Sequence, residues 1–238
     1  MSDYFIYNGV NSSTFLARVF PTDSMLKSTP RNYVSVSVPG RSGTLLLDQG
    51  SYENIMREYD VQIAGDTDLA AFKALRAYLA SCVGYLRLTD SFEPTHFFMA
   101  AYTEGFDLTA DYASMKRGRG TITFECKPQR FLISGETTQT FTGSGSITNP
   151  TRFPSKPLLR VYGQGTLGIG STNITIAAHS GSYMDIDCET GRAYNGATPL
   201  DSYVTLNTID YPTLPAGVTG VALSGVTRVI ITPRWWEL

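Results

Sequence analysis

The sequence predicts a mainly β protein with one α-helix: strands around that helix in the first part, a β-sandwich in the second. Three observations carry this. Short runs alternate apolar and polar residues, as at Val34-Ser35-Val36-Ser37-Val38 and Tyr59-Asp60-Val61-Gln62-Ile63, which is the period of a strand with one buried face. Helical spacing of apolar residues is convincing once, at Leu69, Phe72, Leu75 and Leu79. Past residue 131 the charge density halves, and residues 131–238 hold 17 Thr but one Lys (Lys156) and three Glu (Glu136, Glu189, Glu237). Such a stretch lacks helix formers and suits pleated, half-buried surfaces.

The elements follow in order. Tyr4-Phe5-Ile6-Tyr7 is a strand that meets a tight turn at Asn8-Gly9, a pair tolerant of positive φ. Pro39-Gly40 presets the turn after Val38. The helix is expected over about 67–83, capped by Asp66 or Thr67 and stopped by Gly84. Strand signals return at Tyr85-Leu86-Arg87-Leu88, from His96 to Tyr102 and from Gly120 to Cys126. Ser134-Gly135-Glu136-Thr137-Thr138, Gly143-Ser144-Gly145-Ser146 and Asn149-Pro150 form turns or linker, placing a domain boundary at about 133, with domains 1–133 and 134–238. The second domain carries strands at 158–162, 173–176, 183–187 and 226–232, separated by short turns. No internal repeat aligns.

Composition narrows the classes. Nineteen basic and twenty-one acidic residues leave a net charge of −2, so no polybasic surface advertises nucleic acid or anionic lipid. The longest apolar run, Phe97 to Tyr102, is about a third of a bilayer span, and Met1-Ser2-Asp3-Tyr4 suggests no secretory signal. Cys82, Cys126 and Cys188 are odd in number and far apart, which speaks against a disulfide framework or a cysteine-rich zinc site.

Chemistry is sparse. Gly163-Gln164-Gly165-Thr166-Leu167-Gly168 matches the dinucleotide fingerprint G-x-G-x-x-G, but β residues follow where a helix must start, so glycine turns are expected. His96 and His179 lack partners at metal or catalytic spacing. Asp185 and Asp187 share one strand face; an acid/base pair or calcium site is weighed there against a solvated strand end, which is preferred. Trp235 and Trp236 sit on opposite faces of a final strand, one in the core and one a contact surface. Lys116-Arg117-Gly118-Arg119 is the one dense basic cluster and reads as a hairpin loop. No catalytic, metal or cofactor residue emerges, and the chain is not expected to be an enzyme.

Taken in order, Tyr7-Asn8-Gly9, Val38-Pro39-Gly40-Arg41-Ser42-Gly43, the single helix and Phe124-Glu125-Cys126-Lys127-Pro128 mark the first domain. Pro157 through Gly163-Gln164-Gly165, then Ile186-Asp187-Cys188-Glu189, Tyr211 through Pro215-Ala216-Gly217 and Pro233-Arg234-Trp235-Trp236 mark the second. With these spread over nearly all 238 residues, the chain resembles the distal tail proteins of long-tailed (siphovirus-type) bacteriophages. The resemblance implies a ring-forming N-terminal β domain, usually six subunits around a channel, and a C-terminal galectin-like or carbohydrate-module-like β-sandwich facing outward. It marks Pro39, Gly40, Arg41, Gly43, Pro128, Gly163, Gly165, Asp187, Pro212, Gly217, Pro233 and Trp235 as structural motif residues. Its implied partners are copies of itself, a tail tube protein, a tail-tip or tail-associated hub protein and receptor-binding proteins. It further implies a virion protein of the tail tip, assembled in the host bacterial cytoplasm, with no membrane and no cofactor.

DNA would pass through such a ring without specific binding. The basic cluster is therefore expected away from the channel, or neutralised by Asp107, Asp111 or Glu125. Twenty-eight aromatic residues (14 Tyr, 12 Phe and 2 Trp) independently suit interfaces, since Tyr and Trp join an apolar body to a polar tip. The alternatives are a carbohydrate-binding module or adhesin recognising the host surface, resting on the sandwich and the tryptophans, and a wall-degrading hydrolase, resting on Asp185, Asp187 and the histidines.

Overall fold

The computed structural model describes residues 3–64, 68–107, 109–110 and 117–238. The chain divides into two compact units, Met1–Arg130 with Leu238, and Phe131–Glu237. It is mainly β with one α-helix, the class the sequence predicts.

In the first unit the strands are β1 (Phe5–Tyr7), β2 (Val10–Asn11), β3 (Ala17–Pro21), β4 (Arg31–Ser37), β5 (Thr44–Tyr52), β6 (Ile55–Ala64), β7 (Leu86–Asp90), β8 (His96–Ala101), β9 (Thr109–Ala110) and β10 (Arg117–Leu132), with helix α1 (Asp68–Ser81) after β6. The sheet order is β2-β1-β7-β8-β10-β6-β3, with β9 also beside β10. Asn8 and Gly9 both take positive φ (47° and 81°), so the β1–β2 turn has the twist a two-residue hairpin requires. Along β6, Tyr59, Val61 and Ile63 are buried while Met56 and Asp60 are exposed, the alternation visible in the sequence. Leu75 and Leu79 of α1 are fully buried against this sheet's core of Phe5, Tyr7, Tyr59, Phe98, Ile122 and Phe124; burying each leucine contributes about 1.5–3 kcal/mol. The expected caps Asp66 and Thr67 lie outside the described residues. Gly84 turns the chain after the helix with φ 78°.

The second unit contains β11 (Gln139–Phe141), β12 (Gly145–Asn149), β13 (Leu158–Ile169), β14 (Thr172–Ile176), β15 (Met184–Asp187), β16 (Arg192–Asn195), β17 (Thr198–Pro199), β18 (Val204–Leu206), β19 (Gly217–Thr232) and β20 (Trp236–Glu237). Two long strands, β13 and β19, pair along their length and serve both layers. Residues 158–161 of β13 pair with β15, whereas residues 165–169 pair with β14. The ladder slips between Tyr162 and Thr166, a bulge that lets one strand bend from one layer into the other. The core between the layers includes Ile147, Leu159, Val161, Ile174, Ile186, Val229, Ile231 and Trp235.

Candidate assembly surface

The hairpin β4–β5 forms a two-stranded sheet of its own. Its register sets Val34 opposite Leu47 and Val36 opposite Leu45, and directly paired residues share a face. One face is therefore aliphatic, as the alternation in β4 predicts, but the described residues of the chain leave it open: Val34, Val36, Val38, Leu45 and Leu47 are 37–48% exposed, and Leu46, on the other face opposite Ser35, is 60% exposed. The expectation of a buried face is thus unmet inside a single chain. At the tip, the Arg41 N–H donates to Val38 O (3.2 Å) and Gly40 has φ 77°, a type II turn with Pro39 setting φ at its first central position. Gly43 follows with φ 83°. At the base, the Arg31 guanidinium grips Asp48, with Nε donating to Oδ1 at 2.9 Å.

A second exposed surface lies on β3 and β6. Phe20 pairs with Asp60, and Met56, Glu58 and Asp60 share the outward side of β6. Phe20 and Met56 are each 41% exposed, and Asp60 accepts from Thr121 Oγ1 at 2.7 Å. Directly beneath, a charged cluster fastens the sheet. Arg57, 3% exposed, donates from Nε and Nη2 to Asp90 Oδ2 (3.0 and 2.7 Å) and from Nη1 to Glu93 Oε1 (3.1 Å). Tyr59 OH donates to the same Asp90 oxygen at 2.6 Å. The other Asp90 oxygen receives the N–H groups of Phe92 and Glu93, and Arg57 lies over the Phe98 ring at 4.2 Å. Burial pushes the Tyr59 phenol well above its ordinary pKa. With every acceptor of Asp90 used, the cluster is a structural tie rather than a site awaiting a ligand.

The residues singled out in the sequence fall into structural roles. Gly163 to Gly168 form a bulged stretch of continuous strand, not turns and not a helix start; at Gly165 (φ 133°) a Cβ would stand 2.2 Å from Ser224 O, so only glycine fits. Asp185 and Asp187 are buried, correcting the solvated-strand-end reading. Arg160 holds Asp185 through Nε and Nη2 (2.7 and 2.9 Å), and Arg234 holds Asp187 through Nη1 and Nη2 (2.7 and 3.2 Å). Burial raises the Asp187 carboxyl, but Arg234 and the Glu189 N–H outweigh it and hold the group below the usual carboxylate range. Each carboxylate is consumed by its own guanidinium, which leaves no acid/base pair.

The chain terminus closes the second unit. Pro233 O accepts from Ser155 Oγ (2.7 Å), Arg234 N–H donates to Gly135 O (2.8 Å), and Leu132 N–H donates to Trp235 O (2.9 Å). Trp235 is 3% exposed. Trp236 stacks on Phe153 and donates from Nε1 to Pro154 O (3.0 Å), so the two tryptophans do not form a joint exposed platform. Pro212 is buried beside the Ser155–Leu214 bridge, and Gly217 opens β19 with φ 86°. Pro128 lies past Cys126, the last rung of β10 with β6, where its missing N–H breaks no bond to that strand.

His96 and His179 lie in different units; His179 Nδ1 accepts from Gly181 N–H at 3.1 Å. Cys126 and Cys188 are buried free thiols pushed up to about 12 by burial. Among the described residues no His, Cys, Asp or Glu group is arranged to hold a metal, and no helix is long and apolar enough to cross a membrane. Lys116, Asp111 and the Arg117 side chain lie outside the description. Gly118 and Arg119 belong to strand β10, paired with β6 and β9, rather than to a hairpin loop.

No protein-family model matches the chain, and no curated protein matches it. Solved structures do. The Dit protein (gp 19.1) of phage SPP1, described as a paradigm of the hub adsorption apparatus in phages infecting Gram-positive bacteria, superposes with a TM-score of 0.72 at 15% identity, covering 100% of both chains. The chain has the Dit fold. Chains of the phage P2 baseplate in its activated conformation, with calcium and with strontium, match with TM-scores of 0.56 and 0.53 at 11% identity; 97% of this chain is covered in each, and 97% and 98% of theirs. The resemblance to distal tail proteins therefore holds at the level of the fold.

Proposed function

We propose that the chain is a structural protein of a phage tail tip, forming a ring, hexameric by the family resemblance, through its N-terminal unit. The ring joins the tail tube to tip or baseplate proteins and leaves a channel through which DNA passes without specific binding. The observation that carries this is the end-to-end likeness in fold to a phage hub protein, which leaves neither chain with an unmatched module. The exposed aliphatic face of β4–β5 supports it, because side chains of this kind favour burial in an assembly. The C-terminal unit is its outward platform for tip or receptor-binding proteins, and the protein resides in the virion. Antibody raised against the chain should decorate the distal end of phage tails in electron micrographs. Label confined to heads or spread along the tail shaft would contradict the assignment.

A further inference from the structure

We propose that Asn8-Gly9 is a site of self-modification, where the chain converts its own carboxamide to an aspartyl or β-linked isoaspartyl residue. This rests on the β1–β2 turn and is independent of the ring.

The chemistry needs a carboxamide free to rotate, a following main-chain nitrogen free to attack, and no side chain on the next residue. The turn supplies all three. Asn8 and Gly9 are both exposed, and the Asn8 carboxamide makes no hydrogen bond among the described residues. The Gly9 N–H likewise donates to no oxygen among them, whereas the Asn8 N–H is held by Arg87 O at 2.9 Å. Two rungs close the turn, Tyr7 with Val10 and Ile6 with Asn11. They lie at the edge of the sheet, where local opening is cheap.

The reaction consumes only water. The Gly9 nitrogen attacks Cγ of Asn8 and forms an N–C bond, while its proton passes to solvent. The Cγ–Nδ2 bond breaks and ammonia leaves. Water then adds to one carbonyl carbon of the resulting imide, and the ring C–N bond at that carbon breaks. Opening at Cγ leaves an aspartyl residue. Opening at the main-chain carbonyl routes the chain through Cβ and Cγ, one carbon longer. Either product adds one negative charge to a chain of net charge −2.

The same tripeptide occurs twice, as Tyr7-Asn8-Gly9 and Tyr194-Asn195-Gly196, so local sequence alone does not choose between them. Structure does. Asn195 is half-buried in β16, and its Nδ2 donates to Tyr183 O at 2.8 Å. That carboxamide must first give up a bond worth up to about a factor of ten. At the other site the extra carbon has a defined place to act. The Tyr7 hydroxyl donates to Ala100 O (3.2 Å), and Tyr7 O accepts from the Tyr78 hydroxyl (2.6 Å). With β1 so fixed, the lengthened link throws β2 out of register.

The test holds the full-length protein in mildly alkaline buffer made with heavy-oxygen water, followed by digestion and isomer-resolving mass spectrometry. Position 8 should take up solvent oxygen at least about fivefold faster than position 195 and yield both isomers. In urea the two positions should react at equal rates, because only the folded-state bond separates them. Asn8→Asp, which carries the charge without the extra carbon, should melt like fresh wild type, whereas aged wild type should melt lower. No conversion at position 8, equal rates in the folded protein, unequal rates in urea, or aspartate without its β-linked isomer would overturn the assignment. Aged protein that melts like fresh protein would overturn the release of β2.

Discussion

Arg57 occupies an inward rung of β6, on the side of Tyr59, Val61 and Ile63, where the strand period demands an apolar residue. It is tolerated because Asp90, Tyr59 and Glu93 satisfy it. Removing it strands a buried carboxylate, so Arg57→Ala should cost about 3–5 kcal/mol, read as a lowered midpoint in urea unfolding. Its inward position is legible from the alternation alone; its partner is not, since Asp90 lies 33 residues away and chain separation carries no trace of the contact. Asp185 and Asp187 show the same limit. Two carboxylates two residues apart look solvated in sequence, and only Arg160 from β13 and Arg234 from the segment between β19 and β20 make their burial sustainable. Asp187 has a depressed pKa in the folded state, so its contribution is present at neutral pH and lost as pH falls through the folded value, which lies below the ordinary 3.8. The fluorescence of Trp235 and Trp236 in the second unit should accordingly stay constant from pH 8 to about pH 5 and change only in stronger acid; a transition near pH 6 would contradict the ion pair. No substitution of His96, His179, Asp185 or Asp187 should abolish infectivity while fold and assembly remain intact, and a folded, ring-forming, inactive Asp187→Asn particle would show otherwise.

Elements differ in how plainly they announce themselves. The Val34–Val38 alternation marks β4, whereas β5 hides behind the unbroken Leu45-Leu46-Leu47 run, which has no period. The first half of β19, Gly217 to Gly225, looks like loop because Gly217, Gly220 and Gly225 punctuate it, yet pairing with β12 and β13 makes it strand. The same competition misplaces the glycines at 163–168, where the close approach of Ser224 O, not a turn, selects glycine. Gly165→Ala should cost at least about 1–3 kcal/mol in backbone strain, lowering the melting temperature of the second unit by several degrees. At the hairpin tip nothing lies within 4 Å of a Cβ on Gly40, so the cost there is conformational alone. Gly40→Val should destabilise the turn by roughly 1 kcal/mol or more and reduce oligomer yield more than it reduces the melting temperature. No change in either would mean that the hairpin tip is not an assembly element.

For the whole molecule, fold class was legible because each unit repeats its signal many times: alternating runs, one helical stretch, a threonine-rich second part. Function was legible only as a resemblance, because a ring interface is made of ordinary side chains whose sole mark is exposure. The near-even charge of the chain, −2 overall, suits close association and does not favour holding DNA. The mass of the purified full-length protein in solution, measured by light scattering over a wide concentration range, tests the central claim most directly. The account predicts a particle of six times 26.0 kDa that persists on dilution; a single 26.0 kDa species at the highest concentration reached would contradict it.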